Sequence, residues 1–278
     1  MNVHLASALC ATLLAGFAPA QSVEKDRTQT IDTTLEQIRA TPEAFKTIRV
    51  RFDIQFDSLG RISNPFFTRF ISSEFTNFYA WDGNQPIWRL KSYKDVFGML
   101  FISKASPVIE QVHGLEIYDR VRCEAIVRNT FQGAPWIEVV DVKPIAGRVD
   151  TPTLAHLYRG ETFMQRREWK KAISEFSRAS GGSQPMFVQS AIQRNIGLCH
   201  LRMGEAEEGR ACLQRALRLS ERKDRELVAL ERRARRQPGA ELDMEIDDAQ
   251  VPDSQRPMWE AFDEGSSTTT TKPAAPAK

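Results

Sequence analysis

The second half of this 278-residue chain carries an internal repeat of small residues, and this feature constrains the fold more than any other. Two stretches, offset by 37 residues, place glycine or alanine at identical spacings around one larger apolar residue. The matching positions are Gly160, Ala172, Phe176 and Ala179 in the first stretch, and Gly197, Gly209, Leu213 and Ala216 in the second. Small side chains let paired helices approach closely, and the larger residue fills the space between them. The pattern therefore predicts two consecutive helix–turn–helix units.

This spacing resembles the tetratricopeptide repeat (TPR), a helical hairpin with a period of about 34 residues. The three residues by which the 37-residue offset exceeds this period fit in the 180–183 loop, ahead of Pro185. Repeats of this kind normally need about three copies to be stable, so two copies require cover at each end. Leu227, Leu230 and Ala234 lie at helical spacing and predict a capping helix, and we expect the preceding domain to cover the other end.

The resemblance implies that the first helix of each repeat lines a concave groove for an extended peptide or a partner protein. The implied partner-binding residues are Leu157, Glu161 and Gln165 in the first repeat, and Arg194, Leu198 and Arg202 in the second. Guanidinium groups pair well with carboxylates, which makes Arg194 and Arg202 the contacts suited to an acidic partner. The alternative, that both arginines are ordinary solvated side chains, stays open.

Residues 30–148 alternate in a way that is typical of strands. The candidate strands are residues 48–57, 78–81, 96–102, 119–128 and 136–142. Between the third and fourth of these, Pro107 and Gly114 mark the beginning and the end of a short helix. This order of elements resembles the OB-fold, a five-stranded Greek-key barrel. We therefore expect an α+β multidomain chain, with a small OB-like five-stranded β-barrel at 30–148 followed by an all-α TPR helical hairpin array at 150–236.

An aromatic-rich segment inside the barrel region suggests the main alternative function. Eight of the residues at 66–88 are Phe, Tyr or Trp, and OB-folds bind single-stranded nucleic acid or oligosaccharides through stacking surfaces. The competing interpretation is a barrel core with a covering loop. Residues 21–152 contain 17 basic and 17 acidic residues, whereas a nucleic-acid groove needs an excess of positive charge. A nucleic-acid partner is therefore not favoured.

The first twenty residues predict a signal peptide. Residues 1–22 lack Lys, Arg, Asp and Glu, an apolar stretch covers 5–17, and Ala18-Pro19-Ala20 forms a cleavage pattern before Gln21. We therefore expect residues 1–20 to be removed and the protein to be secreted or periplasmic. No apolar run reaches the roughly 20 residues that span a bilayer, so no transmembrane segment is expected.

Sequence motifs for catalysis or metal binding are missing. The HExxH, GxSxG, GxGxxG and phosphate-loop patterns do not occur, and no cysteines have CxxC spacing. Signal cleavage would leave Cys123, Cys199 and Cys212, for which three buried thiols or a Cys199–Cys212 disulfide are both open. We expect no catalytic residue, no metal and no cofactor. An enzyme whose site is assembled from unlinked carboxylates is the remaining alternative.

The balance of charge changes sign near position 237. Residues 153–236 contain 18 basic and 10 acidic residues, whereas residues 237–278 contain 3 basic and 9 acidic residues and include a low-complexity run. This composition predicts an acidic, disordered tail. One hypothesis is that the tail lies against the basic repeat helices and competes with a partner. The other is that it only aids solubility.

Together these features predict an exported, non-enzymatic protein–protein interaction module, an adaptor or scaffold of the cell envelope whose TPR groove binds a protein or peptide. The alternative is an OB-fold binder of single-stranded nucleic acid or oligosaccharide that uses the TPR helices as an oligomerisation arm. The sequence does not specify an oligomeric state.

Overall fold

Strands and short helices make up the first part of the chain in a computed structural model that describes residues 30–60, 70–181, 183–220 and 224–236. The strands are β1 (Ile31–Asp32), β2 (Arg49–Leu59), β3 (Phe75–Asp82), β4 (Phe97–Ser103), β5 (Arg120–Phe131) and β6 (Ala134–Pro144). The helices are α1 (Leu35–Ala40), α2 (Leu90–Lys94) and α3 (Ile109–His113), with a 3₁₀ turn at Pro42–Phe45. The predicted signal peptide and the predicted acidic tail lie outside the described residues.

Strands β2 to β6 form a closed five-stranded barrel. The strand order is β2-β3-β4-β6-β5, and antiparallel pairing of β5 with β2 closes the ring. Neighbouring strands are antiparallel except β4 and β6, which pair in parallel with Leu100 opposite Ile137. The short strand β1 pairs in parallel with β2, with Ile31 opposite Val50. The expectation of a five-stranded barrel within an α+β structure is therefore confirmed.

Alternating side chains build the barrel core. In β2 every second residue from Val50 to Ile54 is buried, and in β5 every second residue from Val121 to Val127 is buried. Successive side chains of a strand point to opposite faces, so in each strand every second side chain points into the barrel. The register places Phe52 of β2 opposite Cys123 of β5 in that core.

The helix that follows β4 is shorter than its sequence signals indicate. It was expected to begin at Pro107, but α3 begins at Ile109 and ends at His113, with Gly114 directly after it. Pro107 and Val108 form a turn of their own before the helix. Because a proline fixes one backbone angle without requiring a helix, it suits this turn equally well.

Helices make up the rest of the described chain. They are α4 (Thr151–Gln165), α5 (Trp169–Ala179), α6 (Met186–Arg202), α7 (Ala206–Leu219) and α8 (Arg225–Arg236). Each helix packs against the next one along the chain. Asp150 caps α4 by accepting a hydrogen bond from the Thr153 backbone N–H at 2.9 Å, and Pro152 lies in the first turn. The two hairpins α4–α5 and α6–α7 coincide with the two repeated stretches of sequence.

All six repeated small residues are buried between helices. A Cβ atom added to Gly197 would lie 2.9 Å from the carbonyl oxygen of Gly209, and one added to Gly209 would lie 3.0 Å from that of Gly197. A Cβ on Gly160 would lie 2.5 Å from the Phe176 ring. The α6 and α7 backbones thus approach each other at a distance that glycine permits and larger residues obstruct.

The two hairpins also share their turn geometry. Arg167 and Gly204, again 37 residues apart, both have positive φ angles, of 59° and 82°. Glu168 N–H donates to the Phe163 carbonyl in the first turn, and Glu205 N–H donates to the His200 carbonyl in the second. These bonds end both first helices with the same left-handed motif.

One hydrophobic cluster continues from the barrel into the helices. Trp81, Ile87, Tyr118 and Val149 of the first part belong to the same cluster as the buried faces of α4 to α8. The barrel therefore covers the first hairpin through an apolar contact. Within the described residues, no helix is long and apolar enough to cross a membrane.

The three described cysteines are free thiols, and all are buried. Burial raises the pKa of Cys199 to about 12 and also raises that of Cys123. A raised thiol pKa disfavours the reactive thiolate at Cys123 and Cys199. The burial of all three thiols supports the interpretation of these cysteines as small apolar residues.

Candidate functional site

The six residues expected to bind a partner lie on α4 and α6, the first helix of each hairpin. Within each helix they recur at four-residue spacing, which places them along one side of that helix. The α4 set is Leu157, Glu161 and Gln165, and the α6 set is Arg194, Leu198 and Arg202. We call this surface the first-helix face. Its two leucines and its glutamate are buried, whereas its glutamine and arginines are half-buried.

Glu161 is buried because a loop of the barrel packs over it. This segment, residues 85–89, lies in the connection between β3 and α2, and we call it the barrel loop. The Trp88 indole N–H donates to one Glu161 carboxylate oxygen at 3.0 Å, and the Arg89 guanidinium donates to both oxygens at 3.0 Å. Asn195 of α6 adds a hydrogen bond at 3.3 Å. One carboxylate therefore joins the barrel, α4 and α6.

Apolar contacts surround this carboxylate. The Trp88 ring stacks on the Phe187 ring of α6 with centroids 6.2 Å apart, and the Arg120 guanidinium lies 5.4 Å from the same ring. Ile87 is fully buried in the shared cluster, to which Leu157 also belongs. Burying an ion pair among apolar side chains costs desolvation free energy unless its charged groups are hydrogen-bonded. Glu161 meets this condition because three side chains donate hydrogen bonds to it. The barrel loop and the Leu157–Glu161 part of the face thus form an internal interface.

The remainder of the first-helix face is more open. Gln165, Arg194 and Arg202 are each half-buried, and among the described residues Arg194 takes part in no salt bridge. Neighbouring groups restrict the orientation of a half-buried guanidinium, which still reaches solvent. The structure thus places Glu161 against the barrel loop, whereas Leu198 is buried and Gln165, Arg194 and Arg202 are half-buried.

Sequence reasoning missed the partners of Glu161. A single carboxylate among the apolar first-helix positions of α4 was the available signal, because a buried charge requires a donor. Trp88 was recognised only as part of an aromatic-rich segment. The sequence gives no sign that Trp88 and Glu161 are in contact, because 73 positions separate them along the chain.

A second buried carboxylate lies inside the first hairpin. Glu175 of α5 contacts His156 and Arg159 of α4 at 2.9 Å each, and Arg178 at 2.7 Å. Burial raises the pKa of Glu175, but hydrogen bonds from His156 and Arg159 outweigh it, so its pKa lies below the ordinary value. His156 and Arg159 thus connect α4 to Glu175 of α5, whereas Arg178 binds Glu175 from the same helix.

The aromatic-rich segment is largely used for internal packing. Among its described members, Phe70, Phe78, Trp81 and Trp88 are buried, while Phe66 and Phe67 lie outside the described residues. Phe70 stacks on Phe101 with ring centroids 4.2 Å apart. Rings occupied in this way are not available to stack on the bases of a nucleic acid.

An open pocket of about 270 Å³ lies where β1 meets β2 and the end of β3. Two of its three aspartates are paired with arginines: Arg122 pairs with Asp53 at 2.7 Å, and Arg51 pairs with Asp32 at 3.3 Å. The Asp82 carboxylate accepts hydrogen bonds from backbone N–H groups. Within the described part of the chain, no group of three His, Cys, Asp or Glu side chains is placed to hold a metal ion.

Comparisons with protein-family models, with curated proteins and with solved structures found no match for this chain.

Proposed function

We propose that this protein is an exported, non-enzymatic interaction module that binds a protein or peptide partner on the arginine-bearing part of its first-helix face. The observation that carries the proposal is the position of Arg194 and Arg202, which lie on one side of α6 and are half-buried. Guanidinium groups that are spaced along one helical face recognise carboxylates of an extended partner.

Three features support TPR-type repeats at 150–236. The six small residues are buried between helices, the turn hydrogen bonds recur at the 37-residue offset, and α8 extends the series. Ala234 of α8 lies 37 residues after Gly197 and is equally buried, so α8 occupies the place of a third first helix. An array of this kind presents successive first helices side by side.

The barrel topology supports an OB-type domain at 30–148. Counting barrel strands along the chain, the order is 1-2-3-5-4 with the fourth closing on the first, and the third and fifth are parallel. In this proposal the barrel domain supports the helical array, because the barrel loop covers the exposed end of the first hairpin. The leader-like residues 1–20 support secretion or export to the periplasm, where we place the adaptor role.

The test is affinity capture from an envelope fraction with the full chain as bait. We expect Arg194→Glu with Arg202→Glu to abolish capture of the partner, because the two charges that meet its carboxylates are reversed. Arg166→Glu with Lys170→Glu is the matched control, since both residues are exposed and the change in charge is identical. Thermal unfolding establishes that both variants fold. Undiminished capture by the folded Arg194/Arg202 variant would refute the proposal.

A further inference from the structure

Helix α8 carries a face of arginines that have no acidic partner among the described residues. Its buried side is formed by Leu227, Glu231 and Ala234, of which Leu227 and Ala234 belong to the shared cluster. The opposite side exposes Arg225, Arg232, Arg233 and Arg236, and we call these four residues the arginine face. In contrast, Arg235 forms a salt bridge with Glu231 at 2.7 Å.

The four arginines lie on one side of the helix, with Ala229 between Arg225 and the group of three at the end of the helix. Positions 225, 229, 232 and 236 follow the three- and four-residue spacing of one helical side, and Arg233 lies beside them. The stripe is about 16 Å long at 1.5 Å per residue. Like charges at this spacing repel each other by a few tenths of a kcal/mol per pair, and an anion along the stripe relieves that repulsion.

The sequence after α8 supplies such an anion. Pro238-Gly239, a pair typical of turns, follows the helix almost at once. Acidic residues then alternate with Leu242, Met244 and Ile246, so that carboxylates occupy every second position. These carboxylates belong to Glu241, Asp243, Glu245 and Asp247.

Distances along the chain fit this arrangement. The few residues between Arg236 and position 241 span at most about 17 Å, which is sufficient for the chain to reverse direction beside the helix. An extended 241–247 segment is about 20 Å long, with its four carboxylates along one edge. It therefore matches the length of the arginine face.

We propose that residues 241–247 dock antiparallel to α8, with their carboxylates on the arginine face. Docking of a directly tethered segment is favoured because the short connection keeps its effective concentration high. Residues 241–264 together carry nine acidic residues and one basic residue, so charge complementarity extends beyond the docking segment. This inference concerns α8 and is independent of the partner proposed for α6.

The experiment is paramagnetic relaxation enhancement on the full chain. A nitroxide is attached to Ala229→Cys, an exposed position within the arginine face, in a Cys10→Ser background. The three described native thiols are buried and do not compete for the label. We expect the amide signals of 241–247 to lose most of their intensity. In about 1 M NaCl, where the Debye length is about 3 Å, the signals should recover.

Two neutralised variants decide whether docking is specific. The first carries Glu241→Gln, Asp243→Asn, Glu245→Gln and Asp247→Asn, and should lose the broadening. The second, with the same change in net charge, carries Asp253→Asn, Glu260→Gln, Asp263→Asn and Glu264→Gln, and should retain it. Absence of broadening in the unmodified segment overturns the proposal. Equal loss in both variants also overturns it, because it indicates diffuse charge attraction and a solubilising tail.

Discussion

The hairpins α4–α5 and α6–α7 share one backbone plan but differ in the chemistry of equivalent buried positions. At the 37-residue offset, Glu161 of the first corresponds to Leu198 of the second, and Glu175 corresponds to Cys212. The small residues and the turn bonds are retained in both. Packing positions therefore specify the hairpin, whereas the buried carboxylates are particular to the hairpin that meets the barrel.

The largest expected effect comes from adding a side chain where α6 and α7 approach each other closely. Gly197→Val should lower the free energy of unfolding by about 3 kcal/mol, because its Cβ meets the Gly209 carbonyl and backbone cannot move aside. Gly160→Val should cost less, because its obstacle is the Phe176 ring. Urea unfolding measures both, with Gly181→Val as an exposed control. A neutral Gly197→Val would show that the helices do not pack this closely.

Leucine occupies the position of the second hairpin that is equivalent to Glu161. Replacing Glu161 by leucine therefore tests how the first hairpin is attached to the barrel. Glu161→Leu should cost about 2 kcal/mol, because it leaves the Trp88 indole N–H and the Arg89 guanidinium without their acceptor. A cycle with Arg89→Leu should show positive coupling between the two positions. Urea unfolding provides the energies. Additive effects would mean that the pair does not join barrel and helices.

The Glu175 cluster predicts that stability falls in acid. Since the pKa of this carboxyl is lowered in the fold, its contribution is present above the unfolded-state value of 4.5 and is lost as pH decreases through the folded-state value. We expect Glu175→Gln to cost about 1 kcal/mol at neutral pH and nothing at low pH. Urea unfolding at both pH values measures this. A pH-independent difference between wild type and variant would contradict the assignment.

The last comparison concerns the two turns, where Arg167→Gly has the smallest expected effect. Arg167→Gly should raise the free energy of unfolding by roughly 0.5 kcal/mol, because glycine tolerates the positive φ of this position at low cost. Gly204→Arg should lower it by roughly 1 kcal/mol for the same reason. Thermal unfolding of both variants provides the comparison. Effects of the same sign would argue against equivalent turns.

The sequence was informative where a local pattern determines local structure. Alternation in β2 and β5, and the spacing of small residues in the helices, follow from side-chain periodicity alone. The start of α3 was misplaced because a proline serves a turn as well as a helix. The contact between Trp88 and Glu161 could not be predicted, because it depends on how the barrel packs against α4, and no periodicity connects residues from separate units.

The most direct test of the proposed partner binding on the first-helix face is site-specific photocrosslinking. A benzoylphenylalanine is placed at Gln165 on the first-helix face, and at the exposed Gln214 of α7 as the comparison site. We expect Gln165 to yield a crosslinked partner in native cells, with no such product from Gln214. A partner crosslinked equally from Gln214, or from Gln214 alone, would contradict the account.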